Sequence, residues 1–281
     1  MTTLYSHSRL STFETCRKKF HFRYVLQIPQ ETEGIEAFVG KRVHEVLERL
    51  YTFLARQQVP SLRRVVERYH ALFDESFDAG KVVIVKEGLD ADHYRALGVR
   101  CIEHYYRTHY PFESDETLAV EERVSFALDD EGRYGIQGFV DRISRARDGA
   151  IEIHDFKTGQ YVPSQKQLDG DRQLALYQIG IGDRFGSSPE VRLVWHYLAR
   201  GQTRVSTRSA EQLATLRAGT LRLVEQAEAE QAYPARKNNL CAWCEYKPLC
   251  PAWGAAPKDP TPPRDAKSAE LPPPIGQPRL L

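Results

Sequence analysis

The sequence predicts an α/β fold: a central mixed β-sheet flanked by helices, with a helical N-terminal part and a Cys-rich C-terminal segment. Three observations predict it. The first ~110 residues carry apolar positions at helical spacing. Residues 118–128, 134–146 and 150–157 alternate in polarity and are β-branched, as strands are. Helical periodicity then returns and is interrupted by two further strand-like runs, a succession that places helices around a sheet. With 281 residues, 41% hydrophobic and 27% charged, the chain can bury a core without disulfide staples.

The elements follow in order. Ser8 can cap a helix carrying Leu10, Phe13, Phe20 and Tyr24. A second helix carries Phe38, Val43, Val46, Leu47, Leu50, Phe53 and Leu54 on one apolar face. Further helices are expected over 62–77 and 90–109. The three central strands are separated by Asp129-Asp130-Glu131-Gly132 and by Asp148-Gly149, the latter a strong tight-hairpin signal. Residues 165–184 read as a helix, Val191–Leu198 and Thr203–Ser206 as strands, and 209–231 as a last helix. Eight of the sixteen prolines follow residue 254, where little apolar surface is left to offset ordering entropy. The expected organisation is one domain over 1–253 and a disordered proline-rich tail over 254–281.

Composition sets limits on function. There is no run of ~18 apolar residues, so no transmembrane helix is expected. The N-terminus lacks the apolar stretch of a signal peptide, and a cytoplasmic address is the default. A net charge of +1 excludes a uniformly basic coat for nucleic acid, so any polyanion must be met by local patches. Arg17-Lys18-Lys19-Phe20-His21-Phe22-Arg23 is such a patch, and reads equally as the solvated face of an amphipathic helix. Five cysteines, an odd number, argue against a disulfide framework and for metal binding by the clustered ones.

In Ile151-Glu152-Ile153-His154-Asp155-Phe156-Lys157, alternation puts Ile151, Ile153, Asp155 and Lys157 on one face. Two isoleucines anchor that face, and a carboxylate and an ammonium follow, which is costly unless they are paired or hold a metal. The preceding strand, Gly135–Ile143, brings Asp141 across the turn. Phosphodiester hydrolysis calls for such parts: hard oxygen ligands for Mg²⁺ or Mn²⁺, and a lysine to stabilise charge on the phosphate. A surface salt bridge between Asp155 and Lys157 is the plain alternative for an isolated Asp-x-Lys.

Gly-Phe-Val-Asp-Arg-Ile followed by Ile-Glu-Ile-His-Asp-Phe-Lys-Thr-Gly resembles the PD-(D/E)XK nuclease superfamily. It is most similar to the branch of the RecB and AddB nuclease domains and the iron–sulfur nucleases of CRISPR adaptation. Gly40-Lys-Arg-Val-His44-Glu-Val-Leu47-Glu48 resembles the family's Gly-x3-His-x2-Leu-Glu helix, and Gln173-Leu-Ala-Leu-Tyr177 its Gln-x3-Tyr helix. The resemblance spans roughly residues 5–253. It implies a restriction-endonuclease-like core with the N-terminal helices as an insertion. It also implies His44, Asp141 and Asp155 as metal ligands, with the Phe156 backbone carbonyl as a fourth. Lys157 would be the catalytic lysine, and Gln173 and Tyr177 would contact the substrate backbone or steady Lys157. The name-giving Pro-Asp is absent, since Val140 precedes Asp141. Glu48, one turn beyond His44, reads as a partner of that histidine or a helix salt bridge, and Glu122 as an ordinary strand carboxylate, with assistance to the metal as the alternative.

Cys241-Ala-Trp-Cys244-Glu-Tyr-Lys-Pro-Leu-Cys250 places three thiols close together, and Cys16 is the candidate fourth. Four cysteines suit zinc or an iron–sulfur cluster alike. The resemblance implies a 4Fe–4S cluster that staples the first helix to the end of the chain. Cys101, beside Ile102, reads as a small core hydrophobe. The expected activity is metal-dependent cleavage of DNA, as an exonuclease on single strands or ends, in repair, recombination or CRISPR-type processing. A non-catalytic iron–sulfur subunit that binds nucleic acid within a larger complex is the alternative. No Gly-x4-Gly-Lys-Ser/Thr loop is present, so any unwinding falls to a helicase partner in trans.

Overall fold

The sheet is organised around β5 (Tyr134–Ala146) in the computed structural model, which describes residues 2–182 and 190–254. Along one edge β5 pairs antiparallel with β4 (Asp115–Ala127) over nearly its whole length. Its other edge is shared by two strands. β1 (Thr3–Tyr5) runs parallel to residues 134–136, and β6 (Ile151–Lys157) runs antiparallel to residues 142–145. Among the described residues, no strand pairs with 137–141 on that edge. Beyond β6 come β7 (Val191–Tyr197), parallel, and β8 (Gln202–Ser206), antiparallel. The sheet is therefore mixed, as expected. Its hairpins β4–β5 and β5–β6 turn at Gly132 and Gly149, which take φ of 67° and 90°, where a glycine bears no steric penalty.

Helices cover both faces. On one lie α3 (Ile35–Leu54), α4 (Leu62–Ser76) and α5 (Ala91–His109), whose core of Phe38, Val43, Leu47, Tyr69, Phe73 and Ile102 reaches the sheet at Phe156. Gly98 permits α5 to approach α4, for a Cβ there would stand 2.0 Å from the Tyr69 hydroxyl. On the other face α7 (Gln173–Ile181) packs Leu174 and Tyr177 against Val140, Ile143, Ile151 and Ile153. α1 (His7–Thr15) and α8 (Ala210–Ala229) close a third cluster around Leu10, Phe13 and Val224. Cys101 is fully buried among the apolar residues of α5, as expected.

Three expectations need correction. The first helix is capped by Ser6, whose hydroxyl accepts the Arg9 N–H, and not by Ser8, which lies within it; nor is the helix continuous. It stops at Cys16, which is extended (φ −159°, ψ 109°), restarts as α2 (Arg17–Phe20) and ends in a π-helical turn over His21–Val25. The helix expected over 165–184 divides into α6 (Gln165–Asp169) and α7, because Gly170 caps the first and the Asp171 carboxylate accepts the Gln173 N–H that opens the second. Short strands β1, β2 (Glu33–Gly34) and β3 (Val82–Val83) carry too few residues to show a period. The proline-rich segment and the end of the 165–184 region, residues 183–189, lie outside the described residues.

A polar layer is buried between α3, α5 and the sheet. Arg142 is 1% exposed, sits 4.3 Å from the Tyr51 ring centroid, and is paired with Asp115 and Thr117. Ser144, His154 and His196 continue the chain, with His154 Nδ1 2.9 Å from His196 Nε2. Asp115, Glu152 and His154 approach one another as metal ligands would, but the Arg142 guanidinium already supplies their positive charge. Burial, reinforced by Arg142, lowers the pKa of His109 to about 4 and sets His154 and His196 well below their ordinary value. The unfolded chain therefore binds more protons than the native one once pH drops below ~6.5. Stability present above that value should be lost toward pH 4, by about 1.4 kcal/mol per unit for each of these histidines. NMR of the folded, metal-free protein should find all three rings neutral from pH 7.5 to about 5. Protonation of any one in that window would refute the account.

Candidate active site

The unpaired edge of β5 is where the polar residues collect. β5 and β6 separate after the Arg142–His154 pair, and the Asp141 side chain bridges the opening, its Oδ2 accepting the Phe156 N–H at 2.6 Å. α3 crosses above. His44 Nε2 donates to the Phe156 carbonyl at 2.7 Å, and His44 Nδ1 lies 3.4 Å from Asp141 Oδ1. One residue earlier on β6, Asp155 is 3% exposed and takes the Lys157 ammonium at 2.7 Å. α7 completes the group from the opposite face. Gln173 accepts from Lys157 at 2.9 Å and donates to Asp155 at 3.0 Å. Tyr177, one turn on, stands beside Gln173 and the Phe139 backbone, and burial raises its hydroxyl to about 12. Its ring lies where a side chain at residue 138 would be, so only glycine fits there: a Cβ would stand 2.4 Å from it. His44, Asp141, Asp155, the Phe156 carbonyl, Lys157, Gln173 and Tyr177 thus meet at one place.

A further carboxylate joins them. Glu121, on β4, falls between the pairs Val120–Arg142 and Glu122–Val140, and so opposite Asp141. It has φ of 49°, in the left-handed region. One ligand atom each from Glu121, His44 and Asp141 lie within 4.8 Å of one another. The sequence marks only its neighbour Glu122, as an ordinary strand carboxylate or an aid to the metal, and gives no sign of Glu121. The register slips by one residue between Thr117 and Ala119, and neither that slip nor a positive φ at a glutamate leaves a mark in the sequence.

The electrostatics show a deficit of positive charge. Burial and then the Asp141 charge push the Glu121 pKa up to about 7. Burial raises Asp155 as well, against the pull of Lys157. For His44 burial opposes the charge, but Asp141 outweighs it and lifts the imidazole to about 9. Lys157 is likewise raised, because Asp155 outweighs the effect of burial. Three carboxylates, an imidazole and a carbonyl facing one lysine form a donor set of the kind that Mg²⁺ or Mn²⁺ takes. Glu48 is not among them; burial and the neighbouring Glu45 push its carboxyl up.

The four cysteines form a separate feature. Cys16, Cys241, Cys244 and Cys250 line one cavity of about 210 Å³. No three of their sulfurs lie within 4.8 Å of one another, whereas thiolates at ~2.3 Å from one zinc would stand about 3.8 Å apart. The basic run beside Cys16 is largely engaged. Arg17 pairs with Glu230 at 2.9 Å, Lys19 with Glu245 at 2.7 Å, and Arg23 lies 3.9 Å from Glu245. These contacts tie the start of the chain to its end and leave little of the run for a polyanion.

A mixed sheet flanked by helices, with carboxylates and a lysine at the parting of two central strands, is the restriction-endonuclease-like architecture. The chain belongs to the PD-(D/E)XK nuclease superfamily, whose sequence profile matches residues 4–251. Among solved structures it is similar to a candidate exonuclease from Eubacterium rectale, at 13% identity and a TM-score of 0.49, covering 91% of this chain and 90% of that one. It is also similar to a protein named SSO0001, at 16% identity and a TM-score of 0.36, covering 87% and 95%. No curated protein matches the chain.

Proposed function

We propose that the protein is a divalent-metal-dependent deoxyribonuclease that hydrolyses phosphodiester bonds at single strands or ends. The observation that carries this reading is the meeting of His44, Asp141, Asp155 and the Phe156 carbonyl beside Lys157. These four groups, with Glu121, would hold Mg²⁺ or Mn²⁺. The bound ion supplies the Lewis-acid charge that polarises the scissile phosphate. Lys157, held by Asp155 and Gln173, stays protonated and offers its ammonium to the charge that grows on the phosphate oxygens. Gln173 fixes where that ammonium points, and Tyr177 stands beside Gln173 one turn further along α7.

The cysteines would hold a 4Fe–4S cluster, as in the RecB- and AddB-like branch. The lining of one cavity by all four cysteines supports a shared centre. Its role is structural, joining α1 to the end of a nuclease domain that extends to residue 253. The enzyme would act in the cytoplasm, in repair, recombination or CRISPR-type processing, with any helicase supplied by another chain. Retention of every acidic, lysine and histidine position favours this reading over a non-catalytic binding subunit.

End-labelled single- and double-stranded DNA, with free and blocked ends, tests the proposal in Mg²⁺ and in Mn²⁺. Cleavage should require the metal, and blocking the ends should suppress it. Lys157→Ala should slow cleavage by at least ~100-fold, while calorimetric Mn²⁺ affinity changes far less. Equal loss of rate and of metal affinity would remove the distinct role given to the lysine.

A further inference from the structure

A second feature lies on the side of α3 away from His44. Between the C-terminal half of α3 and the start of α4 is a groove with a cavity of about 620 Å³. Leu50, Phe53, Val59 and Val65 form its apolar lining, and Val59 is 48% exposed. Arg49, Arg64 and Arg68 stand around it. Residues 49–68 contain five arginines against one glutamate, in a chain whose net charge is only +1. Among the described residues Arg63 is bridged to Glu67 and Arg68 to Glu75, both at 3.4 Å, whereas Arg49 and Arg64 form no ion pair. Arg49 lies over the Phe53 ring, 5.8 Å from its centroid. Two free guanidinium groups beside an apolar, aromatic hollow suit a ligand with both phosphates and flat faces.

We infer that this groove holds a single-stranded stretch of the DNA substrate, outside the active site. The inference rests on the nuclease reading for the identity of the polyanion. Arg49 and Arg64 would contact successive phosphates, and unstacked bases would rest on Phe53 and the aliphatic lining. A duplex keeps its bases stacked inside and offers nothing to the hollow, so the groove selects single strands. Arg49 follows His44 by five residues, which is about 7 Å along the helix and about 140° around it. The strand in the groove is therefore not the nucleotide being cut. It is the same strand several nucleotides away, after passing around α3, and its effect is on affinity and length dependence rather than on the chemical step.

The test is the double variant Arg49→Ala/Arg64→Ala, changed only at exposed side chains. Binding of a fluorescent oligodeoxynucleotide of about thirty residues is followed by anisotropy in chelator, where no cleavage occurs, and cleavage of a strand of about six residues is measured separately. The variant should bind the long strand about ten- to twentyfold more weakly at 0.1 M salt, and its log K against log salt slope should fall by about 1.4. Arg49→Lys/Arg64→Lys should restore most of that slope, and cleavage of the short strand should match wild type. Unchanged affinity and slope would overturn the inference, as would an equal loss on short and long strands. Preferential binding of a polyglutamate peptide over the oligonucleotide would overturn it in favour of an acidic protein partner. A protein that binds the long strand through these arginines yet cuts no DNA would count against the nuclease proposal and leave the groove standing.

Discussion

Asp155→Ala should reduce metal-dependent cleavage by at least about a thousandfold, the upper range for losing one preorganised electrostatic group. Two losses coincide at this residue. The carboxylate is a proposed metal ligand, and it is also the partner that keeps Lys157 charged in a half-buried place. Without it, burial acts on the ammonium with the Gln173 carbonyl oxygen left as its hydrogen-bond partner among the described residues, and the lysine pKa falls. DNA binding should be largely retained, since Asp155 is 3% exposed and offers no contact to a polyanion. Steady-state cleavage, Mn²⁺ calorimetry and DNA anisotropy on the purified variant separate these effects. Near-normal cleavage with Mg²⁺ present would sink the assignment of Asp155.

Cys16→Ser should produce the largest effect on stability. Cys16 precedes Cys241 by 225 residues, so a shared metal centre closes almost the whole chain into one loop. Closure entropy rises slowly with length, by roughly 0.6 kcal/mol per doubling, and a clamp across this loop acts as a long-loop disulfide does, contributing on the order of several kcal/mol. The two ends also meet through other contacts: Asn238 donates to the Thr15 carbonyl at 3.3 Å and Tyr246 to the Ile28 carbonyl at 2.9 Å. The variant should therefore fold, with a lower melting temperature. Protein purified without oxygen should be brown and hold about four irons. Cys16→Ser should lose the colour and destabilise the fold about as much as Cys244→Ser. Cys101→Ser should keep the colour, because Cys101 is buried in α5, where burial holds its thiol up at about 12. A colourless protein with one zinc would refute the cluster and keep the clamp. Unchanged metal content in Cys16→Ser would remove the residue from the site.

The amino-acid sequence alone determined the elements with a long period and the residues with a short spacing. α3, α4, α5, β4 to β8 and α8 could be read because twelve or more residues of helix, or five or more of strand, repeat a burial pattern that each position shares with its neighbours. Asp155 and Lys157 could be read as a pair because two residues on one strand fall on one face whatever the rest of the chain does. Gln173 and Tyr177 share a helical face for the same reason.

Tertiary structure decided what depends on partners distant in sequence. β1 is three residues long and takes its place only because β5 offers it an edge. The division of that edge between β1 and β6, which opens the gap where Asp141 meets Phe156, belongs to no single segment. The entry of Glu121 rather than Glu122 into the site follows from a one-residue slip against β5, and a slip exchanges the two faces of a strand. The pairing of Arg17, Lys19 and Arg23 with Glu230 and Glu245 made a basic run into a clamp, since a charge is free or engaged only by virtue of what the fold sets beside it.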